Sequence, residues 1–242
     1  MDIPAVVKSA QVVGVPIAYK WSDDIASSID DTENVRLYKA VDAASFRAKM
    51  AVGAALAEWA IWRFHGLVDT SDGVLRVEAA WTGVVDPKYV NDLEFETTAD
   101  DDKEAVVGAY QSGLYYLGET AADYLGKNIY LAESVVKQAA LARHVMPDKK
   151  KFDSWLTETL RRTAAAFPKT SEYDERTEQY DAAAEPPVPR AFVFDPAYVH
   201  SDAECRRALA DFLAKLDPKR NPYLRSAKEM AKYGFGGTAY RI

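Results

Sequence analysis

Ala51-Val52-Gly53-Ala54-Ala55-Leu56-Ala57-Glu58-Trp59-Ala60-Ile61-Trp62-Arg63-Phe64 is the stretch on which the fold turns. It is apolar nearly all round a helical wheel, with only Glu58 and Arg63 charged, so a helix built from it has no face for water and must be enclosed by other elements. Upstream, apolar or small residues recur at Leu37, Val41, Ala44, Ala48, Val52, Ala55, Trp59 and Trp62, spacings of three and four that predict one long helix from about Glu33 to His65. Gly66 marks its end, because glycine takes the left-handed backbone of a C-terminal cap without steric cost.

Outward from this centre the chain reads as helices joined by short breaks. Val74 to Val85 fits both the strand and the helix period, with the edge to helix, and Asp86-Pro87 is a helix-start signal for a short helix. Val106, Tyr110, Gly113, Leu117, Ala121 and Tyr124 define a helix, and Asn128 to Val145 a second that Pro147 stops, so the two form a helical hairpin. Phe152, Trp155, Leu156, Leu160 and Thr163 mark a further helix closed by Phe167-Pro168. Before the central helix, Ala10 to Tyr19 reads as an extended segment and Asp23 to Asp31 as a polar turn region. After Lys169 the chain becomes polar, and Glu185-Pro186-Pro187-Val188-Pro189 cannot be helical. Ala191 to Phe194 then reads as a short strand or extended anchor. Capping boxes at Ser201 and Ser226 open two C-terminal helices, the second closing at Gly234 with Phe235 placed for its hydrophobic contact.

The expected fold is mainly α, a bundle-like multi-helix body with a long central buried helix, a small C-terminal helical segment and at most minor β. The expected organisation is a body over residues 1–168, a polar and proline-rich connection over 169–200, and a C-terminal segment over 201–242 packed back on the body.

The 242 residues are enough to bury a full core, and 48% hydrophobic against 28% charged residues is the balance of a globular chain. A formal net charge of -7 disfavours nucleic-acid binding, which needs clustered cations, and favours a basic partner. The N-terminus lacks the basic and apolar regions of a signal peptide, and the single cysteine cannot form an internal disulfide, so a cytoplasmic location is expected. The most apolar stretch is too short to span a bilayer.

The three histidines and one cysteine show no HExxH, CxxC or HxE setting, so no metal and no cofactor is expected. Glu58, on the most buried helix, is the leading catalytic candidate, with His65 seven positions on and Trp62 between them. A desolvated carboxylate has its pKa raised and can serve as acid or base. Its structural alternative is an ion pair with Arg47 or Arg63, or a hydrogen bond to a tyrosine. Glu119 and Asp123, four apart beside Tyr115 and Tyr116, project from one helix face, and Asp100-Asp101-Asp102 places negative charge before a helix. Tyr110, Tyr115, Tyr116, Tyr124 and Tyr130 span all faces of the hairpin, so some must reach the surface, where tyrosines supply contact area at low entropic cost. His200 beside Ser201 and Asp202 is not triad geometry, Cys205 reads as a core residue, and Lys149-Lys150-Lys151 as a solvated basic island.

The missing catalytic set, the acidic balance and the tyrosine surplus lean away from an enzyme and toward stoichiometric binding of another protein with a basic surface. The binding candidates are Tyr110, Tyr115, Tyr116, Glu119, Asp123, Asp100, Asp101 and Asp102. An immunity- or antitoxin-like inhibitor of a bacterial kind, or an adaptor, fits that type, with no membrane partner and with a homo-oligomer as a third class. The alternative is a small helical enzyme that uses Glu58 and His65, or Glu119 and Asp123, in a cleft between helices.

Overall fold

In the computed structural model the described residues are 1–97, 104–177 and 179–242. Among them lie eleven α-helices: α1 Ala5–Ser9, α2 Asp23–Asp30, α3 Val35–Asp42, α4 Phe46–Phe64, α5 Ser71–Val85, α6 Val107–Leu125, α7 Leu131–Val145, α8 Lys149–Ala166, α9 Arg190–Phe194, α10 Asp202–Leu213 and α11 Ala227–Lys232. A single 3-10 turn, Pro87–Tyr89, and a two-stranded antiparallel ribbon, Tyr173–Asp174 with Gln179–Tyr180, complete the regular structure of the described residues. The fold is mainly α and bundle-like.

The apolar stretch of α4 is the axis of the bundle. All of its residues except Arg47 are buried. Helices α5, α6 and α7 pack around it, and α8 and α9 also pack against it. Alanines and Gly53 let the neighbours approach closely: a Cβ on Gly53 would stand 2.7 Å from Thr120 Cγ2 of α6 and 3.3 Å from Gln138 Oε1 of α7. No helix among the described residues is long and apolar enough to cross a membrane.

The long helix expected from Glu33 to His65 is two helices. The chain breaks at Ala43 to Ser45, where the Ser45 side chain caps α4 by accepting from Ala48 N at 3.3 Å. The break is held from outside the segment. Ser45 N donates to Phe167 O at 2.8 Å, and Lys169 N donates to Ala43 O at 3.0 Å. Glu185 then seats its carboxylate on the opened end of α4, accepting from Phe46 N at 3.1 Å and Arg47 N at 2.8 Å. Those groups come from the end of α8 and the proline-rich connection, so a periodicity confined to residues 33–65 carries no trace of them.

Two further readings are corrected. The polar run at Asp23 is a helix, α2: Ser22 caps it, Asp23 and Asp24 lie in its first turn where the helix dipole favours acids, and Ile25 and Ile29, four apart, face the bundle. The segment at Ala191 is α9 rather than a strand. A lone strand leaves its backbone groups unpaired, whereas here Phe192 N donates to Pro189 O at 3.0 Å and Asp195 N to Ala191 O at 2.8 Å. The ambiguous run at Val74 is helical, as α5. The cap at Gly66 forms with φ +86°, and that at Gly234 with φ +75° and Phe235 N donating to Met230 O at 3.1 Å. Of the two expected capping boxes, Ser226 and Glu229 form the reciprocal pair, while Glu204 turns away from Ser201 to bind Arg207.

Candidate functional site

Two adjoining clefts, of about 520 and 360 Å³, lie along α2, α6 and the segment after the 3-10 turn, sharing Thr97 and Tyr115. Six carboxylates line them: Asp23 and Asp30 from α2, Asp92, Glu94 and Glu96 from the segment, and Glu119 from α6. No lysine or arginine is among the described lining residues. Tyr115 stands exposed between the clefts, with its ring 5.5 Å from that of Tyr116.

The segment that carries Asp92, Glu94 and Glu96 is held by Arg76 of α5. Its Nη1 donates to Leu93 O at 2.9 Å and Glu94 O at 3.0 Å, its Cζ lies over the rings of Phe95 and Tyr223 at 5.1 and 4.4 Å from their centroids, and its Nε pairs with Asp72 at 2.7 Å. Gly118 of α6 lets the segment lie directly on the helix, since a Cβ there would stand 2.9 Å from Leu93 O. Buried groups therefore aim an exposed row of acids outward. Burial, then Asp123, Asp30 and Glu94 as like charges, push the Glu119 carboxyl above its ordinary pKa against the opposing pull of Lys137. Burial also raises Asp123, which accepts from Ser134 Oγ at 2.5 Å. Lys137 donates to Asp30 at 2.9 Å.

Glu58 is engaged on every side. Arg190 donates to both carboxylate oxygens, with Nε at 2.9 Å from Oε2 and Nη2 on Oε1. Trp62 Nε1 donates to Oε1 at 3.1 Å and Trp81 Nε1 to Oε2 at 2.9 Å. The residue is 1% exposed. Neither Arg47 nor Arg63 is its partner. Arg47 donates to Val85 O at 2.7 Å, while Arg63 spends its guanidinium on the carbonyls of Val145, Val15 and Pro16. His65 is exposed, with Nδ1 2.8 Å from Thr70 Oγ1, and reaches Glu58 only through Trp62, whose ring packs edge-on against the imidazole at 5.2 Å.

Of the five hairpin tyrosines, Tyr110, Tyr116 and Tyr124 are buried, while Tyr115 and Tyr130 are exposed. Burial pushes the Tyr110 and Tyr124 hydroxyls up to about 12. The structure thus brings Tyr115 and Glu119 together in the acidic face, with Tyr116 behind them, and leaves Asp123 turned to Ser134. Asp100, Asp101 and Asp102 lie outside the described residues. Among the described residues no group of three or more His, Cys, Asp or Glu is arranged to hold a metal. Cys205 Sγ lies 3.2 Å from His200 Nδ1, with burial raising the thiol pKa. Asp23, Asp30, Asp92, Glu94 and Glu96 are site residues that sequence reasoning missed, because they lie on two segments far apart in the chain and their only common signal is charge. Arg190 was missed as the partner of Glu58 for the same reason of distance. Searches of protein-family models, curated proteins and solved structures find no match to this chain.

Proposed function

We propose that this protein is a stoichiometric binder of another protein, and that it receives a basic segment of that partner on the acidic face between α2, α6 and residues 92–97. The observation that carries this reading is the paired clefts: six carboxylates with no cation among the described lining residues, centred on an exposed tyrosine. A face on which six acids meet the single paired lysine Lys137 attracts cations and repels acidic competitors, so it sets the sign of the partner. Tyr115 adds a rigid amphipathic contact of the kind that anchors interfaces. The raised Glu119 carboxyl supports the same reading, because an incoming lysine or arginine relieves the repulsion that raised it. Glu58 belongs to the scaffold in this account. Its oxygens already accept four donated hydrogen bonds, which leaves it no free position for a substrate proton. Inhibition of a basic protein, in the manner of an immunity or antitoxin protein, and adaptor action both use such a face.

The test is parallel capture from source lysate by the parent chain and by a Glu94→Lys/Glu119→Lys variant, at low and moderate salt. A basic partner held in equimolar amount by the parent, weakened by salt and lost from the variant is the expected result. Equal retention by parent and variant would place the interface elsewhere and end this reading.

A further inference from the structure

Lys137 of α7 is not among the described residues that line the acidic clefts, yet its ammonium is committed to them. It donates at 2.9 Å to Asp30, the last residue of α2 and part of one cleft wall. Burial raises the pKa of Glu119, Asp123 and Tyr115, and Lys137 pulls against it on all three. In return the hydrogen bond to Asp30 lifts the ammonium above the ordinary lysine pKa, against burial, and Tyr115 and Glu119 add to that lift. One tethered cation on α7 therefore acts on acids of two other helices, α2 and α6.

The strength of the contact decides what it can do. The side chains of Lys137 and Asp30 are 35% and 52% exposed, and an ion pair so open to solvent is weak, because water competes for both charges. A second cation brought to the face can exchange for the first at little cost. Until it does, Lys137 takes up part of the attraction that the acids would otherwise offer.

We propose that Lys137 is a built-in competitor at the acidic face: it occupies Asp30, and a lysine or arginine of the partner's basic segment displaces it. The inference rests on the acidic-face reading above and adds an autoinhibitory contact to it. A competitor and a purely structural tie differ in sign. Loss of a competitor strengthens binding of a cation, whereas loss of a tie between α7 and α2 loosens the face and weakens it.

The experiment titrates the full chain with the tetralysine peptide at low salt in a calorimeter. Lys137→Gln is expected to bind tetralysine about three- to fivefold more tightly than the parent, the range that one exposed ion pair commands, and added salt to shrink the difference. Lys150→Gln removes the same charge from an exposed position of α8 and is expected to bind as the parent does. Lys137→Arg, which keeps the cation, is also expected to match the parent, and adding Asp30→Asn to Lys137→Gln to abolish the gain. A Lys137→Gln affinity at or below that of the parent, or a gain that Lys150→Gln matches, overturns the competitor and leaves the acidic face standing. No binding of tetralysine by parent or variants, or equal binding by Glu94→Lys/Glu119→Lys, overturns both.

Discussion

Arg190 reaches Glu58 across 132 positions of chain, and what it meets is a carboxylate already facing two indole donors in a site closed to water. Removing one member of such a pair is costly because the other stays buried and uncompensated. Arg190→Ala is therefore expected to destabilise the protein by about 3–5 kcal/mol in urea unfolding, and Glu58→Leu combined with Arg190→Met to recover much of that loss. If Arg190→Ala unfolds at the parent midpoint, the pair contributes nothing to the fold. Glu119 makes the opposite case. Its raised folded-state pKa means that the folded chain holds more protons than the unfolded chain between the two pKa values, so this group's contribution to stability is present at low pH and lost as pH rises through the raised value. Glu119→Gln is expected to be more stable than the parent at neutral pH and equal to it below about pH 4, where both side chains are uncharged. A basic partner should reverse the shift, so binding at mildly acidic pH is expected to release protons, which calorimetry in buffers of different ionisation enthalpy measures.

At the scale of elements, the start of α4 depends on the residue that opens the proline-rich run Glu185 to Pro189. Glu185 accepts from Phe46 N, Arg47 N and Ser171 Oγ, so it both caps the central helix and ties down residues 169–189. Glu185→Ala is expected to cost about 1–2 kcal/mol and to open the ribbon around Tyr173 and Tyr180 to limited proteolysis; an unchanged cleavage pattern would show that the stacking of Tyr180 on Phe46 suffices. The acidic segment rests on α6 in the same dependent way. Gly118→Ala places a methyl 2.9 Å from Leu93 O, against backbone that cannot swing aside. It is expected to cost about 1–3 kcal/mol and to weaken partner retention, although it changes no charge on the face.

Over the whole molecule, the C-terminal helices are fastened to the bundle at widely spaced points. Asn221 Nδ2 donates to Leu75 O at 2.9 Å, Arg225 N to Tyr89 O at 2.8 Å, and Tyr240 Oη to Arg225 O at 2.6 Å, while Leu224 and Met230 are buried. With Glu58 also neutralised from α9, calorimetry is expected to show one unfolding transition for the chain; two would mean that the C-terminal segment melts by itself. The helices α6 to α8 and the body of α4 were legible because each carries its own apolar period over many residues, α5 less so because its period also fits a strand, and the caps at Gly66, Ser226 and Gly234 because their chemistry is local. Glu58 was legible as a buried charge, and Tyr115 and Glu119 as neighbours one turn apart. The break before α4, the helical state of α9, the identity of Arg190 as partner and the gathering of α2 with residues 92–97 were not legible. Each is decided by groups that meet only after folding, and burial of a charge or closure of a cleft depends on distance through space rather than along the chain. The sequence by itself determined a bundle wrapped around an apolar helix and a chain with a formal net charge of -7. Only the tertiary structure decided which acids stand together, because Coulomb repulsion and desolvation act between groups that the packing of α2, α6 and the Arg76-held segment has brought side by side.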